Sequence, residues 1–408
     1  MKYAIVIPDG AADRPIDELE DRTPLQAART PHMDWLATHG KCGTVRNVPK
    51  GLPAGSDVAI LSAVGYDPAE CYTGRAPLEA AARDIEVSRK EWIFRCNLVT
   101  VVDGIMEDHS AGNISTTEGQ AIVAELQRLL GGAHLKFHAG VAYRHLMIYD
   151  QPCDVQTTPP HDILGQAIEK YLPTGKGSEF LRNLIDRSRT ILGGHEINAV
   201  RRDLGENPAT HIWLWGQGKM PDLPKFADRY HTSAAAITAV DLIRGIAKLI
   251  GWDLIHVPGA TGFVETDYAG KGSAAVAALD DVDLVFVHVE APDEAGHNAD
   301  VHGKVYALEQ IDHHIVGPLL ERLKAEDDQW RLLVMPDHPT PIELRTHTAE
   351  PVPFAIAGKD IVSVVKGPFC EETARSADLH IERGHETMEY VLTLRPPATP
   401  PQPRRQRR

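Results

Sequence analysis

Four apolar runs limit what this chain can become: YAIVI at 3–7, VDLVFVHV at 282–289, RLLVM at 331–335 and VPFAIAG at 352–358. Each is too short to cross a bilayer and too continuously apolar for a strand wetted on one face, so each reads as a strand buried on both sides. Helical spacing over 271–280 and 300–325 separates most of these late runs. The predicted fold is therefore α/β, a mainly parallel sheet between helices. Polar residues follow the runs closely: Asp9 after the first, Asp337 and His338 after the third. Acids and imidazoles at strand tips occupy the edge where open α/β sheets build their sites.

The middle of the chain follows a different grammar. WIFRCNLVTVVDGIMEDHSAGNIS reads as two strands around an Asp-Gly turn, followed by a helix over 116–130 and further strand in FHAGVAYRHLMIYD. An inserted α+β domain is expected at 86–205, with 1–85 and 206–395 forming one core, since 408 residues exceed what a single core usually holds. Residues 24–39 read as one helix closed by Gly40. The end, 396–408, is rich in proline and arginine and is expected to be disordered.

A formal net charge of −15 opposes a broad nucleic-acid surface, while leaving room for a local basic pocket that captures a small anion. The five cysteines, Cys42, Cys71, Cys96, Cys153 and Cys370, are odd in number and form no CxxC pair, as reduced thiols do. With no signal-like N-terminus and no membrane-length apolar run, the expected location is the cytoplasm, with neither membrane nor nucleic acid as a partner.

Three late segments gather metal-ligand types: VEAPDEAGHNAD at 289–300, MPDHPTP at 335–341 and LRTHTAEPVPF at 344–354. Asp293 and His297 stand four apart, Asp337 and His338 are adjacent, and His347 adds another imidazole. With Asp9 this is a mixed oxygen and nitrogen set suited to Mn²⁺, Zn²⁺ or Mg²⁺, better matched to two ions than to one. His288, His302, His313 and His314 are rivals that spacing does not exclude. Asp57, Asp67 and Asp300 read as caps, turns or solvated residues. Ser56, in PAGSDVAILSAVGYDP, reads locally as a helix cap, yet a helix start also favours an anion.

The opening IPDG, then PAGSDVAILSAVGYDP, TGRAPLEAAARDI, VEAPDEAGH and MPDHPTPIELRTHTAEPVPF, resemble in combination and order the archaeal-type, cofactor-independent phosphoglycerate mutases of the alkaline phosphatase superfamily. The likeness runs from residue 1 to about 395. It implies an alkaline-phosphatase-like core, an inserted substrate lid and two divalent ions, Mn²⁺ first among them, with no need of 2,3-bisphosphoglycerate. By the family pattern Asp9, Ser56, Asp337 and His338 hold one ion, Asp293, His297 and His347 hold the other, and Ser56 carries the phosphoryl group. The implied reaction interconverts 3-phosphoglycerate and 2-phosphoglycerate. FRCNLVT, TGRAPLEA and YRHLMIY are also similar to a bacterial branch proposed to contain a homoserine kinase, and a metal-dependent phosphatase or a non-catalytic binding protein would use the same fold.

A phosphorylated carboxylate calls for fixed cations, and arginine suits it best because its planar fork makes paired hydrogen bonds. Arg144, Arg201 and Arg202 are candidates in the insert, Arg75 on the core side, and Lys271 in YAGKGSA a further one. His109 and Asn113 form the insert's clearest polar cluster; Asn113 stands where a histidine is more usual in similar sequences. The GKGS segments at 175–178 and 270–273 do not have the spacing of a Walker A loop.

Overall fold

The apolar runs become neighbouring strands of one eight-stranded sheet. In chain order its strands are β1 (Lys2–Pro8), β2 (Lys41–Val45), β3 (Ala234–Ile237), β4 (Asp253–Leu254), β5 (Leu284–Val289), β6 (Trp330–Val334), β7 (Val352–Gly358) and β8 (Leu379–Ile381). They lie in the order β4-β3-β5-β1-β6-β7-β2-β8. The computed structural model describes residues 1–363 and 367–396; beyond Pro396, the tail expected to be disordered lies outside them. Two compact units are distinguished, Met1–Tyr72 with Leu223–Arg408, and Thr73–Asp222.

In the first unit, β1 runs parallel to both β5 and β6, with Ile5 level with Phe286 on one side and Leu333 on the other. Burial on both faces explains the unbroken apolar run: Ala4 to Ile7 are all buried. Two later helices, Tyr268–Asp281 and Gly317–Lys324, pack on this sheet through Ala275, Leu279, Leu319 and Leu323. β7 runs antiparallel to β6. A parallel return would need a helical crossover, and no helix lies between these two strands.

Two helical expectations divide. The stretch 24–39 forms Pro24–Ala27 and Pro31–His39, because Pro31 has no N–H and disfavours helical geometry at Thr30, whose φ/ψ is −123°/63°. The stretch 300–325 forms Val301–Ile311, a π-helical turn at Asp312–Val316, and Gly317–Lys324. Asp312 in that turn accepts the backbone N–H of Met33 at 2.7 Å. Asp67 and Asp300 are helix caps, accepting from Ala69 and Gly303.

The second unit is built on the strand Trp92–Val102, nearly all of it buried. Arg144–Tyr149 and His211–Gly218 pair with it antiparallel, and Ile105–Asp108 folds back after the Asp-Gly turn. The helix Thr116–Leu130 starts at a reciprocal capping box between Ser115 and Glu118. This unit is wider than the expected 86–205. His211–Gly218 belongs to its sheet, and Ala76 and Ala80 of the helix Arg75–Ala82 pack on Ile93 and Leu146.

Candidate active site

Strands β5, β1 and β6 are adjacent and parallel, so the residues after them emerge at one edge of the first unit's sheet. Asp9 follows β1; Asp293 lies in the helix Ala291–His297 after β5; Asp337 and His338 follow β6. Their exposures are 0%, 4%, 0% and 0%, too deep for ordinary solvated acids. Gly10 permits the convergence. Its φ is +63°, and a Cβ there would lie 2.5 Å from Thr340 Oγ1 and 2.7 Å from Asp293 Oδ1.

Asp9 Oδ2 accepts from His288 Nε2 at 2.9 Å, while Asp9 Oδ1 has no hydrogen-bond partner among the described residues. Asp337 Oδ1 accepts from the N–H groups of Gly10 and His338, at 3.2 and 2.9 Å, and Asp337 Oδ2 is likewise without a donor among them. Both orphaned oxygens face His338 Nε2, at 3.6 Å from Asp9 and 3.4 Å from Asp337. Buried acceptors without donors are costly unless a cation completes them.

The second group is Asp293, His297 and His347. His297 Nδ1 lies 2.9 Å from the carbonyl of Arg345, and His347 Nδ1 lies 3.2 Å from that of Ala54. A carbonyl only accepts, so both Nδ1 atoms carry hydrogen and both Nε2 atoms of the neutral rings carry lone pairs. Those Nε2 atoms stand 2.9 Å apart, each 3.3 Å from an oxygen of Asp293. Facing lone pairs need a proton or a metal ion between them. The residues present therefore fit a divalent ion here, with Asp9, Asp293 and His338 able to contribute to a neighbouring position.

Ser56 is the first residue of the helix Ser56–Ala63, and Gly55 occupies the cap position in extended geometry. The hydroxyl makes no cap bond. Instead Ser56 Oγ lies 3.1 Å from His338 Nε2. His338 Nδ1 faces Thr340 Oγ1 at 3.3 Å, and the Thr340 hydroxyl donates to Asp293 Oδ1. That chain places the His338 hydrogen on Nδ1 and leaves Nε2 to accept from Ser56.

The electrostatics agree with a cation-seeking cluster. Burial, then the carboxylates of Asp337, Asp293 and Glu290, push Asp9 well above the usual range. Burial also works to raise Asp293, but hydrogen bonds from His297 and His347 outweigh it and hold that carboxyl well below the usual range. The hydrogen bond that Asp293 accepts from it lifts His297 to about 9. Burial keeps His338 low and takes His288 to about 3.

Of the rival histidines, His288 belongs to the site as the partner of Asp9; only its spatial neighbour, not its spacing, could reveal it. His302 is exposed and pairs with Glu18 at 3.1 Å, and His313 and His314 meet edge to face in the π-helical turn. Thr340 and Glu290 carry no mark in the sequence that singles them out. Lys271 is fully buried, its ammonium taken by burial to about 8 against the opposing pull of Glu290 and Asp267.

The remaining cation candidates lie in the second unit. Arg75 is there too, not on the core side, because its helix packs on that unit's sheet. His109, His161, Tyr143 and Trp215 form an aromatic cluster, and Arg144 sits 5.5 Å from the Tyr143 ring. Arg95, missed in the sequence as part of a strand, lies 4.2 Å over the Trp215 ring. Burial lowers Arg95 to about 10, and Arg75 and Arg144 push it the same way while Glu79 opposes. Such crowding of guanidinium groups suits an anionic ligand.

Arg201 makes its contacts within the unit. Arg201 is buried, donating to Glu118, Asn207 O, Ala111 O and Gly112 O, and pairing with Glu206 at 3.0 Å. Its guanidinium braces the unit internally, which corrects its expected place among the substrate cations. Asn113 is a turn residue at φ +50°, its N–H donating to Ser110 Oγ at 3.1 Å. Arg202 is exposed and donates to Gly193 O at 3.3 Å, in a cavity shared with Arg182 and Arg189.

Comparison with known proteins adds an independent line. Residues 37–198 match the family model described as 2,3-bisphosphoglycerate-independent phosphoglycerate mutase. A protein of that name from Methanothrix thermoacetophila is 47% identical over 392 residues, covering 96% of this chain and 100% of the relative. One from Geobacter sulfurreducens, named as a probable enzyme of this kind, is 46% identical over 96% of this chain and 100% of its own. Among solved structures, a Pyrococcus horikoshii protein superposes with a TM-score of 0.81 at 31% identity, covering 96% of this chain and 97% of its own. The cofactor-independent phosphoglycerate mutase of Thermoplasma acidophilum gives 0.65 at 27% identity, covering 97% and 100%.

Proposed function

Because this chain belongs to the 2,3-bisphosphoglycerate-independent phosphoglycerate mutase family, we propose that it interconverts 3-phosphoglycerate and 2-phosphoglycerate through a phosphorylated Ser56. The observation that carries the residue assignment is the Ser56 hydroxyl at 3.1 Å from a buried imidazole, beside two orphaned carboxylate oxygens. Asp9, Ser56, Asp337 and His338 would hold one divalent ion, and Asp293, His297 and His347 the other, with Mn²⁺ the first choice for this donor set. When bound, such ions lower the pKa of a coordinated hydroxyl and neutralise charge on a transferring phosphoryl group.

The chain's own residues then have distinct tasks. Ser56 takes the phosphoryl group from one hydroxyl of the substrate and returns it to the other, so that no phosphate is released. The helix start behind Ser56 presents N–H groups and a favourable dipole to the anion. His288 holds Asp9 in place through its Nε2. The glycerate must turn over while water is kept away, since hydrolysis of the phosphoserine would make the protein a phosphatase. We assign Arg75, Arg144 and His109, with Arg95, in the second unit, and Lys271 in the first, to recognition of anionic groups of the substrate.

The test is conversion of 3-phosphoglycerate to the 2-isomer by purified protein with Mn²⁺ and no added 2,3-bisphosphoglycerate. Mass spectrometry after brief substrate exposure should find one phosphoryl group on the Ser56 peptide. Phosphate release without isomerisation, or ATP-dependent phosphorylation of homoserine in its place, would overturn this reading.

A further inference from the structure

Lys304, on the helix Val301–Ile311, is a cation with no exposed side-chain surface. Its Nζ donates to Asp13 Oδ2 at 2.7 Å and to the carbonyl of Thr340 at 2.8 Å. Asp13, equally buried, also accepts from the N–H groups of Ile342 and Arg14, with 3.2 Å to Ile342 and 2.8 Å to Arg14. The Asp13 N–H donates to Glu371 Oε1 at 3.0 Å, and Glu371 Oε2 accepts from the Thr23 hydroxyl at 2.7 Å. The segment around Thr340 is thus held from behind by ionic and backbone contacts.

The front of Thr340 faces the candidate ligands. Its hydroxyl donates to Asp293 Oδ1 and faces His338 Nδ1. The packing leaves little play: a Cβ on Gly296 would lie 2.6 Å from the Thr340 carbonyl oxygen and 2.8 Å from its Cγ2. A buried ion pair is rarely the most stabilising way to fill a core, since apolar side chains of similar volume commonly do as well. Its presence one residue contact behind Asp293 and His338 points to a positional task.

We propose that Lys304 is a positioning residue, fixing Thr340 so that its hydroxyl orients the Asp293 carboxylate towards the ion shared with His297 and His347. This rests on the metal reading of the site given above. Hydrogen bonds to ligating carboxylates set their orientation, and their loss typically weakens metal affinity.

The experiment titrates Mn²⁺ calorimetrically into metal-stripped full-length protein carrying Lys304→Met, Thr340→Val or Thr340→Ser, with kcat and KM for 3-phosphoglycerate measured in parallel. Lys304→Met and Thr340→Val should each weaken one Mn²⁺ step about 10- to 100-fold and lower kcat, leaving KM near the parent value. Thr340→Ser, which keeps the hydroxyl, should restore parental affinity. If Lys304→Met does not fold by circular dichroism, Thr340→Val decides, because it leaves the ion pair intact. Equal affinity in the Val and Ser variants would overturn the positioning role alone. No Mn²⁺ uptake by the parent protein would overturn the metal reading and this proposal with it.

Discussion

The hydroxyl of Ser56 lies 3.1 Å from Nε2 of His338, a residue of the loop after β6, while the cap of the Ser56 helix is Gly55. The hydroxyl therefore contributes nothing to holding the helix start and is directed at the ligand cluster. Ser56→Ala should lower mutase activity by at least about a thousandfold, the order expected when a nucleophile is lost from a site that works as a unit. Its stability should change by no more than about 0.5 kcal/mol, against about 1 kcal/mol for loss of a true cap. Steady-state rates and a thermal melt check both halves.

The facing Nε2 atoms of His297 and His347 predict a second outcome. Addition of Mn²⁺ to a hundred times its Kd should stabilise the folded protein by about 2.7 kcal/mol per ion, and a chelator should remove that gain. His347→Ala should lose one ion's share of the stabilisation and most activity. Melting curves with and without chelator, beside metal analysis, measure it.

His145 contributes to the pH dependence of the second unit. The ring is buried, its Nδ1 accepts the Gly140 N–H at 2.9 Å, and burial, reinforced by Arg83, lowers its pKa from 6.5 to about 3. The unfolded chain takes up a proton below about 6.5 and the folded ring does not. Stability from this group is therefore full above about 6.5 and is lost progressively as pH falls towards about 3, by a few kcal/mol in all. His145→Phe should reduce the dependence of urea unfolding on pH over that window.

Arg201 and Arg144 should separate cleanly. Arg201→Met removes a buried guanidinium from Glu118 and three backbone carbonyls, and should cost about 3 kcal/mol of stability with little change in KM. Arg144→Ala, at an exposed position beside Tyr143, should leave stability within about 0.5 kcal/mol but raise KM for 3-phosphoglycerate at least about tenfold. Urea titration and steady-state kinetics distinguish them.

The parallel strands and their acidic tips were legible because both leave local marks. A strand buried on both faces must be continuously apolar, as in YAIVI and VDLVFVHV, and its C-terminal edge must turn polar at once. Asp9, Asp293, Asp337, His338, His297 and His347 could be read from that pattern and their order along the chain. The break at Pro31 was equally local, and the helix over 24–39 divides there for a reason written in the sequence itself.

Partnership was not legible. His288 resembles any strand histidine until β5 lies beside β1 and brings its Nε2 to 2.9 Å from Asp9. Lys304 and Asp13 look like surface charges until burial makes them a pair. Arg201 looks like a free cation until its donors are counted. By itself the sequence determined which segments must be buried, because hydrophobic period is local, and which residue types could ligate. Only the tertiary structure decided which polar groups face one another, because hydrogen bonds and charge pairs depend on distances of a few ångströms between segments far apart in the chain.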